Sequence, residues 1–97
     1  MLRRTKSKSN RTKITFAVPH DLAPVGVSLV GEFNGWDRST HPMRKRSNGT
    51  RSVTLELETG RRWEYLYVTE EGVFFCDPEA EALVANPYGG TNSVITT

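Results

Sequence analysis

Between turn signals the chain alternates apolar and polar residues with period two, and this limits the fold more than any other feature. In residues 13–18, Ile14, Phe16 and Val18 share one face, with Thr15 and Ala17 opposite. In 27–33, Val27, Leu29, Gly31 and Phe33 share a face. In 51–58, Val53, Leu55 and Leu57 oppose Thr54, Glu56 and Glu58. In 62–68, Trp63, Tyr65 and Tyr67 alternate with Glu64, Leu66 and Val68. Shorter candidates lie at 73–75 and 93–96. Each pattern fits a half-buried antiparallel strand. Asn48-Gly49 predicts a hairpin between 43–46 and the Val53 strand, and Thr59-Gly60 and Glu70-Glu71-Gly72 predict further turns. Only 78–84, with Glu79, Ala80, Glu81, Ala82 and Leu83, reads as a short helical patch. About seven short strands at this spacing predict an all-β, immunoglobulin-like antiparallel β-sandwich. Trp63, Tyr65 and Tyr67 are its predicted core.

The chain has 97 residues, enough for one domain with one modest core. No run approaches the roughly 18 apolar residues of a membrane span. The single Cys76 has no partner for an internal disulfide, and no apolar segment near Met1 resembles a secretory signal. The expectation is a cytoplasmic protein. Its net charge of +2 is divided unevenly. Residues 1–11 carry Arg3, Arg4, Lys6, Lys8 and Arg11 with no acid, and the remainder is net acidic. With Leu2 its one large apolar residue beyond Met1, 1–11 reads as a disordered basic arm before a module at 12–97. Such an arm either contacts phosphate, serves as a transit peptide, or acts as a solubilising tail. The acidic body argues against a nucleic-acid partner for the whole domain.

Catalytic signatures are missing. The histidines His20 and His41 stand in turn-rich sequence, and Cys76 reads as a small buried hydrophobe. No Cys or His spacing suits zinc, and no Gly-rich phosphate loop precedes a helix. The reading is a non-enzyme without metal or cofactor.

The informative stretch is Gly31-Glu32-Phe33-Asn34-Gly35-Trp36-Asp37. An apolar strand ends, Asn34 and Gly35 tolerate positive φ and turn the chain, and Trp36 follows in polar surroundings. Such a Trp either caps the core edge or faces outward as a flat platform, on which the C–H face of a sugar ring stacks.

That stretch is followed in order by Pro42-Met43, residues 58–67, Asp77-Pro78 and residues 86–94, which begin Asn-Pro-Tyr-Gly-Gly-Thr-Asn. The series resembles the early-set, isoamylase N-terminal-like domains of carbohydrate-binding module family 48. These include the glycogen-binding domain of the AMP-activated protein kinase β subunit, parts of glycogen branching and debranching enzymes, and small standalone bacterial members. The resemblance implies an early-set sandwich that binds α-1,4-glucan. It also implies Trp36 as a stacking platform and Asn92 as a partner for sugar hydroxyls. The family's second Trp corresponds to Phe74, with Phe75 as the other option, and a side chain that inserts into a sugar ring corresponds to Tyr88. Leu66 stands where many members carry a lysine, so this platform is more apolar than that of strong glycogen binders. The alternative is a regulatory module that docks on a glycogen-metabolising enzyme or kinase with little sugar binding. Arg44, Lys45, Arg46, Arg51, Arg61 and Arg62 either rim a sugar or anion site or form a solvated face.

Overall fold

In the computed structural model, which describes residues 2–8 and 10–97, the period-two segments become the strands of two facing antiparallel sheets. The first sheet has the order β1-β2-β5-β4, formed by Leu2–Lys8, Arg11–Pro19, Thr50–Glu58 and Arg44–Lys45. The second has β3 (Val27–Gly31), β6 (Arg62–Thr69), β9 (Thr91–Thr96) and β8 (Ala82–Ala85) side by side. β7 (Phe74–Phe75) pairs with β6 opposite Tyr67 and Val68. Thus β7 and β9 share one flank of β6, β9 covering residues 62–65 and β7 residues 67–68.

The predicted faces are the observed ones. Ile14, Phe16 and Val18 from β2 meet Trp63, Tyr65 and Tyr67 from β6, and all six are buried. Phe16 stands edge-on to Tyr65 at 5.2 Å between ring centroids, a favoured aromatic geometry. Each such side chain contributes roughly 1.5–3 kcal/mol by leaving water. The tyrosine hydroxyls need polar partners inside the sandwich, and Asp77 supplies one. Its Oδ2 accepts from Tyr65 at 3.1 Å and from Tyr67 at 2.8 Å. Its own N–H donates to Ser93 Oγ, which ties the β7–β8 connection to β9.

Three expectations need correction. Residues 1–11 were predicted as a disordered arm, yet Leu2–Lys8 form β1, and Arg11 opens β2. Met1 and Ser9 lie outside the described residues. Backbone pairing with the β2 edge requires no apolar side chains, Leu2 packs against the core, and Arg4 forms an ion pair with Glu81 that reaches the facing sheet. The patch at 78–84 is not helical: Ala82–Ala85 pair with β9, because the hairpin at 86–90 folds them back on it. The strand predicted over 27–33 stops at Gly31, and Glu32–Asn34 make one 3-10 turn. Phe33 still packs on the core, but from that turn, with its ring 5.9 Å from Phe16 and 6.0 Å from Trp63. The nine strands among the described residues exceed the expected seven through β1 and β8.

Candidate carbohydrate-binding hollow

The outer face of the β6 sheet carries the site. Alternation that sends Trp63, Tyr65 and Tyr67 inward sends Glu64 and Leu66 outward. Opposite Val68, Phe74 takes the outward side, whereas Phe75 opposite Tyr67 turns toward the core and packs on that ring at 5.4 Å. Of the two candidate residues, Phe74 is the exposed one, at 52%.

The loop after β3 brings Trp36 over this face. Asn34 anchors it, with Oδ1 accepting from the Gly31 N–H and Nδ2 donating to the Leu29 carbonyl. The Trp36 N–H donates back to the Gly31 carbonyl at 3.0 Å. Positive φ falls on Gly35 and Trp36 (φ 61°), not on Asn34 and Gly35 as predicted. For a bulky residue this conformation costs on the order of 1–2 kcal/mol, and such strain concentrates at functional sites. Asp37 closes the loop by accepting from the N–H and hydroxyl of Ser39, which lowers its pKa.

A third segment is the β8–β9 hairpin. Asn86 Oδ1 accepts from the N–H groups of Tyr88 and Gly90, so the side chain shapes its own loop. Tyr88 projects at the tip, 94% exposed. Asn92 is buried just below, donating to Glu64 Oε1 at 3.0 Å and accepting from Asn86 Nδ2 at 3.1 Å.

These segments enclose an open hollow of about 940 Å³. All five candidate residues, Trp36, Leu66, Phe74, Tyr88 and Asn92, line it. The six basic candidates do not. Arg51 bonds the Ala23 and Pro24 carbonyls, Arg46 bonds Ser52, and Arg61 stacks over Trp63 at 4.2 Å. Arg44 and Lys45 lie exposed on β4, and Arg62 lies 3.4 Å from Glu64 without lining the hollow. Cys76, predicted as buried, is half-buried in the wall, its Sγ bonded to the Thr91 carbonyl, because β7 ends there and the chain crosses toward β9.

Sequence reasoning missed Glu32, Glu64 and Asn86 in this lining. The alternation at 62–68 did place Glu64 on the Leu66 face, but only the pairing of β6 with β9 brings it to Asn92. A chemical division results: exposed aromatic faces suited to apolar ring surfaces, and amide and carboxylate groups suited to hydroxyls.

An outward aromatic hollow on an immunoglobulin-like sandwich defines a class of surface-binding modules. The profile of the family Carbohydrate-binding module 48 (Isoamylase N-terminal domain) matches residues 6–89, and the chain belongs to that family. It is 39% identical over 74 residues to 1,4-alpha-glucan branching enzyme GlgB 2 of Xanthomonas campestris pv. campestris, covering 73% of this chain and 10% of the enzyme. A shorter match, 53% identical over 36 residues, covers 37% of this chain and 5% of the 1,4-alpha-glucan-branching enzyme of Rhizophagus irregularis. The chain therefore spans about a tenth or less of these relatives' length. Among solved structures, the enterobactin esterase FES of Shigella flexneri superposes with a TM-score of 0.76 at 12% identity, over 99% of this chain and 32% of that one. That likeness is one of fold alone. Among the described residues, no helix is long and apolar enough to cross a membrane.

Proposed function

We propose that the hollow is a non-catalytic binding site for α-1,4-glucan chains. One observation carries the reading: the exposed aromatic residues Trp36, Phe74 and Tyr88 stand around Asn92 in one open hollow. Sugar rings would stack on the aromatic faces while the remaining N–H of Asn92 meets a hydroxyl. An open site with few contacts suits affinities on the order of micromolar to millimolar. Maltoheptaose titrated by calorimetry and by NMR shift mapping tests this. Shifts should cluster at the hollow and vanish in Trp36→Ala; their absence at millimolar sugar would sink the proposal.

A second reading rests on Leu66. This side chain in the lining offers nothing to a hydroxyl, and with Phe74 it leaves an apolar surface. Such a surface suits docking on a glycan-metabolising enzyme or kinase chain. Co-purification that survives excess maltoheptaose would favour it.

A further inference from the structure

The hollow also has a charge. Among the described residues, two carboxylates line it, Glu32 and Glu64, and no lysine or arginine does. Glu64 is partly balanced by Arg62 outside the lining. Glu32 is exposed, and its Oε1 accepts the backbone N–H of Glu64 at 2.8 Å, a contact that fixes its position without neutralising it. Asp37 adds a charge beside Trp36, and the hydrogen bonds from Ser39 favour its ionised form. Arg38, the cation next in sequence, is turned elsewhere: it lines a separate smaller hollow together with Glu70.

We propose that this site accepts neutral α-glucan and rejects glucan bearing phosphate esters, with Glu32 as the main discriminating residue. The proposal rests on the glucan reading above and deepens it. Neutral hydroxyls can donate to both carboxylates, so the acids assist an uncharged sugar. A phosphate ester near pH 7.5 carries close to two negative charges and only acceptor oxygens. Among the described residues of the lining it meets uncompensated carboxylate with no donor cation to replace its water, and such like-charge opposition is a standard means of excluding a wrong ligand. For charges several ångströms apart in a wet site, Coulomb repulsion corresponds to about five- to tenfold weaker binding at low salt.

The test compares maltoheptaose with maltoheptaose carrying one 6-phosphate, by calorimetry at pH 7.5 in about 20 mM and about 500 mM salt. At high salt the screening length shrinks to a few ångströms. The expected result is five- to tenfold weaker binding of the phosphorylated sugar at low salt, with most of the gap closed at high salt. Glu32→Gln keeps a side-chain oxygen to accept the Glu64 N–H, and should narrow the low-salt ratio between the affinities for the two sugars at least twofold. Equal or tighter binding of the phosphorylated sugar overturns the inference and leaves the glucan reading intact. A gap that persists at high salt also overturns it, since exclusion would then be steric. Failure to bind maltoheptaose itself defeats the glucan reading and this inference with it. The salt series needs only the unaltered chain, so it decides the matter even if the variant folds poorly.

Discussion

The Nδ2 group of Asn34 lies 2.8 Å from Nδ1 of His41. The same amide is oriented by its other bonds, to the Leu29 carbonyl and the Gly31 N–H, so it meets the ring with a hydrogen. Nδ1 must therefore accept, and the imidazole is neutral with its proton on Nε2. The turn that presents Trp36 is thus braced by a histidine that has to stay uncharged.

A pH dependence follows. Partial burial already holds the His41 pKa below the ordinary 6.5. The unfolded chain then takes up the proton first as pH falls, so this contribution is complete above about pH 6.5 and is lost as pH falls through and below that value. Urea midpoints between pH 7.5 and pH 5 should decline more steeply for the unaltered chain than for His41→Gln. An NMR titration should place the His41 midpoint below 6.5.

Asp77 is the polar centre of the core. Asp77→Ala leaves two buried tyrosine hydroxyls without their acceptor and should cost about 2–5 kcal/mol by urea denaturation, with Tyr67→Phe costing about 1–2 kcal/mol. Burial and the Asp77 charge raise the pKa values of Tyr65 and Tyr67. Their unfolded forms ionise near pH 10 while the folded ones do not, so stability should fall as pH rises above about 10. Tyrosinate absorbance should show two rings that ionise only on unfolding.

Gly31 tests close packing. Its backbone is extended, so conformation alone permits a side chain, yet an added Cβ would lie 2.8 Å from the Glu64 carbonyl oxygen and 2.8 Å from the Phe33 ring. Gly31→Ala should therefore cost about 1–3 kcal/mol. NMR shifts should spread to Phe33 and Trp36, because the turn between them starts at this residue.

The strained loop separates binding from stability. Trp36→Gly removes both the stacking face and a positive φ that glycine adopts freely. It should abolish measurable maltoheptaose binding while leaving the thermal midpoint unchanged or raised by a few degrees. A large fall in the midpoint would show instead that Trp36 caps the core.

The N-terminal strand should matter for stability and not for binding. Arg4→Ala removes one side of an ion pair whose two side chains are 41% and 39% exposed, so the cost should be at most about 1 kcal/mol. Deleting residues 1–8 removes Leu2 from the core and uncovers the β2 edge, and should cost about 1–3 kcal/mol. Maltoheptaose affinity should stay unchanged in both, since none of the described residues of β1 lines the hollow.

Much of the sandwich was legible in the sequence because period-two alternation is a local property: it follows from which face each residue of a strand presents. Trp63, Tyr65 and Tyr67 had no other face to occupy. Two strands were not legible. The composition of Ala82–Ala85 suits a helix, and their pairing with β9 comes from the hairpin at 86–90. Leu2–Lys8 lack an apolar stripe, and what orders them is the β2 edge, the core contact of Leu2 and the acid at Glu81.

The sequence by itself determined the two-sheet architecture, the buried faces of β2 and β6, and the aromatic and amide residues available for the site. Only the tertiary structure decided that Trp36, Leu66, Phe74, Tyr88 and Asn92 share one hollow, that Phe74 rather than Phe75 is its more exposed ring, and that Glu32 and Glu64 stand among them. The reason is register: alternation specifies which side a residue takes, whereas the pairing of β6 with β7 and β9 sets which distant residues meet there.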